Sequence, residues 1–379
     1  MAGKLSMMDK IAASGSIKTA AVLSDSLLFN NRDEIQTPLP ILNVAFTGRV
    51  DGGWQSGLTV LAGASRTFKT LFSLYGMKAY LDKYPDAVAV LYDSEFGITE
   101  TNLKMIGIDK TRVLHVPIEH IEQLKFDIVK RLEAISRGDH VYIMVDSLGA
   151  LASKKEIEDA VNEKSVADMT RAKAIKSLYR IINMSLLIKD IPCVIINHTY
   201  QTLELYAKTV VGGGTGNIYT PSQVFIISRA QDKNGDDLVG YKFTITIEKS
   251  RLIKEKSKLG VEVSFDKGIN KFSGLLDLAL ESGDVTNPKK GKYALVDRTT
   301  GEESEILFSE DATNVEEFLG VVLERPEFRT FVTDKYILKA PIEITDDVVE
   351  EEMIKASKGV VSDATRTKIK TTGRKKEKK

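Results

Sequence analysis

The stretch Gly63-Ala64-Ser65-Arg66-Thr67-Phe68-Lys69-Thr70 decides how this chain is read. The run before it, residues 58–62, is short, apolar and suited to a buried strand. The run after it, residues 71–80, spaces its apolar side chains as a helix does. A loop between strand and helix that ends in Lys-Thr is the context of a phosphate-binding P-loop. Backbone N–H groups and the positive end of the helix dipole surround a phosphate chain in that geometry. Gly63 to Thr70 would line the nucleotide, with Lys69 reaching the β- and γ-phosphates and the Thr70 hydroxyl holding Mg²⁺. One position departs: Phe68 stands where glycine usually precedes the lysine. The alternative, an ordinary surface turn with a lysine in it, fits the flanking strand and helix less well.

A P-loop needs an acidic group beside it, and Val141-Tyr142-Ile143-Met144-Val145-Asp146-Ser147 supplies one. A carboxylate after an apolar strand sits at the C-terminal edge of a parallel sheet, next to the phosphate loop. Asp146 would hold Mg²⁺ through a water; otherwise it only caps its strand. A third strand ends in Tyr92-Asp93-Ser94-Glu95. Hydrolysis of a γ-phosphate needs a base to orient and deprotonate water, and Glu95 is the candidate. Asp93 is read as support for the loop. A fourth strand ends in Ile195-Ile196-Asn197-His198, which places His198 to sense the γ-phosphate. His115, His120 and His140 have neither metal-ligand spacing nor companion cysteines and receive no role.

The segment after His198 leads to Val211-Gly212-Gly213-Gly214-Thr215-Gly216-Asn217. Glycine contributes no side chain and costs ordering entropy, so this run is not expected to serve packing. It reads as a mobile linker or as backbone that approaches another molecule, such as the phosphates of a nucleic acid. Taken alone it also fits a second nucleotide loop.

The 379 residues leave room for one sizeable core and a smaller domain. A hydrophobic share of 42% and a charged share of 28% are those of a soluble globular protein. No apolar run approaches the roughly 20 residues that span a bilayer, and the N-terminus lacks the core of a secretory signal. The single cysteine, Cys193, excludes an internal disulfide and points to a cytoplasmic location; within its apolar run it reads as a small strand residue. Net charge is formally zero, so no global basic field announces nucleic acid.

From about 40 to 270, strands alternate with helices. Strands are predicted at 58–62, 88–92, 113–116, 141–145, 193–196, 224–227, 243–247 and 261–265, and helices at 70–82, 120–136 and 167–188. The expected fold is α/β: a mostly parallel twisted sheet with helices on both faces, later joined by antiparallel strands. Residues 1–35 read as a helical arm, 36–274 as the ATPase core, 275–342 as a small α/β domain and 343–379 as a charged, disordered tail. The tail turns from six acidic residues between Glu343 and Glu352 to a basic end. It would touch a phosphate backbone or an acidic partner, or serve solubility.

Together these motifs resemble the RecA-type recombinase core, in particular the UvsX branch of T4-like phages, over residues 20–340. The resemblance rests on 63–70, 92–99, 145–155, Asn197-His198-Thr199, 212–216 and Glu248-Lys249-Ser250-Arg251. Phe68 belongs to the phage pattern. The resemblance implies an oligomerising N-terminal arm and a helical filament with ATP and Mg²⁺ between neighbouring subunits. Lys249 and Arg251 would reach the phosphates of the next subunit, as an arginine finger does. It further implies two DNA-facing loops, 155–167 and 199–217, with contacts from Lys164, Arg171, Gly212, Gly213, Gly214, Thr215, Gly216 and Asn217. Asn102 stands where the family commonly stacks a tyrosine on adenine. The basic tail departs from the acidic one expected of phage relatives. Implied partners are single-stranded and homologous duplex DNA, further copies of the chain, a single-strand-binding protein and a recombination mediator, with no membrane; the location is the host cytoplasm if the chain is phage-encoded. The expected function is ATP-dependent strand exchange in recombination, repair and recombination-dependent replication. A hexameric helicase motor, a catalytically silent DNA-binding filament and a small-molecule kinase are the alternatives.

Overall fold

The computed structural model describes residues 6–17, 20–26, 33–162, 170–202, 207–214 and 216–338. The described residues up to Ile337 belong to one compact unit. The second unit, Leu338–Lys379, contains the charged tail, which lies outside the described residues.

Among the described residues the centre is a nine-stranded sheet. In chain order its strands are β1 (Gly57–Gly63), β2 (Val88–Asp93), β3 (Val113–Pro117), β4 (Val141–Asp146), β5 (Pro192–Asn197), β6 (Gln223–Asn234), β7 (Asp237–Lys249), β8 (Lys258–Ser264) and β9 (Gly268–Ile269). They lie side by side as β9-β8-β7-β6-β1-β5-β4-β2-β3. The six from β6 to β3 are mutually parallel, and β7, β8 and β9 add antiparallel strands at one edge.

Parallel strands need crossovers, and helices supply them. The helices that matter here are α1 (Met7–Ser14), α2 (Pro40–Thr47), α3 (Lys69–Lys83), α4 (Glu100–Ile106), α5 (Ile121–Ala134), α6 (Lys154–Val161), α7 (Thr170–Lys189), α8 (Gly216–Tyr219) and α9 (Leu275–Ser282). Side chains alternate along each strand, so β1 sends Leu58, Val60 and Ala62 to one face and Leu61 to the other. The first set packs with Leu124 and Ile128 of α5 and Leu178 and Ile182 of α7. The second face packs with Phe46 of α2, Phe72 and Met77 of α3, and with Leu278 of α9, Phe318 and Phe328. A sheet covered on both sides has continuous apolar strands, which is why β1, β2, β4 and β5 read so clearly.

Three elements differ from the sequence reading. Residues 40–47, given no helix in the sequence reading, form α2, a fully buried helix with Pro40 in its first turn, where a missing N–H costs nothing. Part of the loop expected at 155–167 is α6, nucleated by a capping box in which Ser153 and Glu156 exchange hydrogen bonds. The strand expected at 224–227 continues to Asn234 as one arm of a long hairpin with β7. Its outer half is polar because only the part beside β1 is covered.

Candidate nucleotide and DNA sites

The phosphate loop leaves β1 at Gly63, where a Cβ would lie 2.4 Å from the Ile227 carbonyl oxygen and 2.7 Å from Thr67 Oγ1. Only glycine fits there. Arg66 and Phe68 both adopt left-handed backbone, each with φ of 60°. Two such residues in three curl the chain so that α3 begins at Lys69. Lys69 is buried, and its Nζ donates to the Ala64 carbonyl at 2.7 Å and to Thr67 Oγ1 at 3.3 Å. Burial lowers the Lys69 pKa, while the charges of Glu95 and Asp146 act against that.

Thr70 Oγ1 donates to Asp146 Oδ2 at 2.8 Å. The other carboxylate oxygen, Asp146 Oδ1, is buried and has no hydrogen-bond partner. Burial pushes the Asp146 pKa up to about 6; the Thr70 hydrogen bond opposes this, and Glu95 and Asp93 add to it. An orphaned carboxylate oxygen beside a hydroxyl is a donor set that fits a hard divalent cation such as Mg²⁺.

Residues Asp93 and Asp146 are register partners on β2 and β4, so the two strand ends meet. Asp93 Oδ1 accepts the backbone N–H groups of Glu95 at 3.0 Å and Phe96 at 2.7 Å, and Oδ2 faces His115 Nε2 at 3.2 Å. It shapes the turn that aims Glu95. Glu95 Oε1 accepts the Ser147 hydroxyl and faces His198 Nε2 at 3.2 Å. His198 lies against Gly149, where a Cβ would come within 2.3 Å of the imidazole. Lys69, Thr70, Glu95, Asn102, Asp146 and His198 thus border one cleft of about 390 Å³. Asn102 also caps α4, its Oδ1 accepting from the Thr99 N–H at 3.0 Å and the Thr99 hydroxyl at 2.6 Å.

The glycine run is packed more tightly than its composition suggests. A Cβ on Gly213 would lie 2.7 Å from Ile175 Cδ1 on α7, and Asn217 is wholly buried. The Nδ2 groups of Asn197 and Asn217 both donate to the Gly212 carbonyl, at 2.9 and 2.5 Å. The expectation that this run does not serve packing is corrected at two positions: Gly213 and Gly216, where a Cβ would come within 2.7 Å of Ile175 and 3.1 Å of Lys176 on α7. Arg171 directs Nε to the Leu151 carbonyl at 2.8 Å and Nη2 to those of Gly149 at 3.0 Å and Leu148 at 3.2 Å. It ties α7 to the chain that follows β4. Lys164 and Thr215 lie outside the described residues.

A family model described as the RecA N-terminal domain matches residues 5–270. The chain belongs to the RecA family. A second model, the C-terminal domain of the recombination and repair protein of bacteriophage T4, matches residues 272–332. The recombination and repair protein of Enterobacteria phage T4 is 47% identical over 351 residues, 92% of this chain and 89% of the T4 protein. RecA of Malacoplasma penetrans is 26% identical over 61% of the chain and 69% of its own length. RecA of Petrotoga mobilis is 24% identical over 81% of both. The resemblance read from the motifs holds, down to the phage branch, and the α/β core with its mostly parallel sheet is the RecA one.

Within this RecA core, Lys249 and Arg251 are not at the cleft. Lys249 pairs with Val224, which pairs in turn with Val60, whereas Gly63 pairs with Ile227. Three residues separate the two rows, about 10 Å along the strands. The chain beyond Lys249 continues toward the N-terminal ends of β1 and β6, away from the phosphate loop. Lys249 Nζ donates to the carbonyls of Tyr219 at 2.6 Å and Pro221 at 2.8 Å, and its pKa is lowered by burial and by the Arg251 charge. Arg251 is exposed. Sequence reasoning missed Ser147, the hydroxyl on Glu95; its place directly after Asp146 was the available signal. Among the described residues no helix is long and apolar enough to cross a membrane.

Proposed function

We propose that this RecA-family chain is an ATP-dependent strand-exchange recombinase that assembles as a helical filament on single-stranded DNA. The observation that carries this reading is the convergence of Lys69, Thr70, Asp146, Glu95 and His198 on one cleft at the C-terminal edge of the parallel strands. Loop amides and Lys69 would bind the phosphates, Thr70 and Asp146 would hold Mg²⁺, and Glu95 would orient and deprotonate water. Bound Mg²⁺ would neutralise charge on the β- and γ-phosphates. His198, which faces Glu95, senses whether the γ-phosphate is present, and Asn102 borders the base.

Lys249 and Arg251, turned away from their own cleft, serve the cleft of a neighbouring copy. ATP then joins subunits, and hydrolysis loosens them. In sequence, an arm of residues 1–35 precedes the ATPase core of 36–274, and a small domain of 275–342 and a tail of 343–379 follow it. α1 displays Met7, Met8 and Ile11 to solvent, which suits an arm that docks on another copy. DNA contact falls to Lys164 and the backbone of 212–216, while Arg171, bound to three carbonyls, and the buried Asn217 hold that surface in place. A single-strand-binding protein and a mediator complete the expected partners, in the cytoplasm.

The test is ATP hydrolysis with and without single-stranded DNA, coupled to strand exchange on homologous and non-homologous duplexes. DNA-stimulated hydrolysis with homology-dependent exchange is expected. Hydrolysis that unwinds a forked duplex without exchange would instead mark a ring motor.

A further inference from the structure

The phosphate loop contains a residue that its backbone does not favour. Phe68 has φ of 60° and ψ of 20°, a left-handed conformation that glycine adopts freely and a phenylalanine does not. Its ring, half-buried, lies on Phe243 of β7 with centroids 4.5 Å apart and planes within 21°. Phe243 is fully buried and also meets Phe72 of α3 edge-on, with centroids 6.3 Å apart. It is wedged between the loop and the helix that follows it.

The second left-handed residue, Arg66, is tied to the same hairpin by a separate contact. Arg229 of β6 donates Nη1 to the Arg66 carbonyl at 3.2 Å. The Arg229 guanidinium lies 4.5 Å from the centre of the Tyr241 ring, and Tyr241 borders Phe243 with centroids 6.2 Å apart. Both strained positions of the loop are thus fastened to one pair of strands.

We propose that Phe243, acting through Phe68, is a positioning residue that holds the phosphate loop in its nucleotide-binding curl. The stack supplies what glycine's conformational freedom supplies in the usual motif. This inference rests on the reading of 63–70 as the nucleotide loop. A glycine at 68 would reach the same backbone without strain and would not need Phe243. An alanine would keep the strain and lose the ring.

The experiment titrates full-length chain with a fluorescent ATP analogue and Mg²⁺, with thermal melting in parallel. Phe68→Ala is expected to weaken binding about fivefold, from the loss of one aromatic pair, and Phe68→Gly to recover most of that loss. Phe243→Leu should weaken binding by a similar factor alone and have no further effect in the Phe68→Gly background. Equal losses for Phe68→Ala and Phe68→Gly would overturn the inference, even if Phe243→Leu fails to fold. So would a Phe243→Leu loss that persists beside Gly at 68. Lys69→Ala is the control: wild-type binding by that variant would overturn the nucleotide-loop reading itself.

Discussion

The two ends of the parallel sheet carry different kinds of charge. At the C-terminal edge, Lys69, Thr70, Asp146, Glu95 and His198 crowd into one cleft, and burial moves the pKa of Lys69 down and that of Asp146 up. Toward the other edge, Lys249 is held by two backbone carbonyls and Arg251 is exposed. The first edge carries the phosphate loop and the carboxylates, with Lys69 buried in it and Arg66 at its rim. The second edge has cations and no phosphate loop. This is the arrangement that the proposed two-copy site needs: Lys249 and Arg251 of one copy would serve the cleft of the next.

The largest expected effect comes from Lys69→Ala, which removes the phosphate cation from the first edge. ATP turnover should fall about 10³-fold or more and nucleotide-dependent assembly should vanish, read by hydrolysis and light scattering. Arg251→Ala strikes the second edge. DNA-stimulated hydrolysis should drop by about 10³, while the isolated subunit still binds nucleotide. If both Lys249→Ala and Arg251→Ala hydrolyse ATP as the wild type does, the second edge does not belong to the site and the comparison breaks.

Glu95→Gln sharpens the first edge. Turnover should slow about 10²- to 10³-fold while ATP-dependent DNA binding persists. Wild-type turnover would remove Glu95 from the role of base. The smallest effect is on stability. The folded pKa of Asp146, about 6, lies above its unfolded value. Its contribution to stability is therefore full at pH below about 4 and is lost as pH rises through about 6. Without Mg²⁺, Asp146→Asn should be more stable than the wild type at pH 8 by on the order of 2 kcal/mol, with the difference shrinking toward pH 4. A pH-independent difference in melting would contradict the buried charge.

The first edge was largely legible in the sequence. β1, β2, β4 and β5 are covered on both faces; the last three appear as apolar runs ending in Asp93, Asp146 and Asn197, and β1 runs straight into the phosphate loop. The hairpin beyond Ile227 was not legible, because 228–234 is polar and its pairing with β7 leaves no apolar run. α6 was hidden because a solvated helix rich in Lys and Glu has the composition of a loop, and only Ser153 and Glu156 mark its start. Gly213 and Gly216 misled because α7, which they pack against, is distant in sequence. Lys249 and Arg251 could be assigned only through the family, since the phosphates they are expected to reach belong to another molecule.

The most direct test mixes two inactive proteins. Equal amounts of Lys69→Ala and Arg251→Ala chains are combined on single-stranded DNA, and ATP hydrolysis is measured against either alone. If neighbouring copies complete each site, interfaces pairing an intact phosphate loop with an intact Arg251 appear on mixing, and about a quarter of wild-type activity should return. A mixture as inactive as its two components would contradict the account.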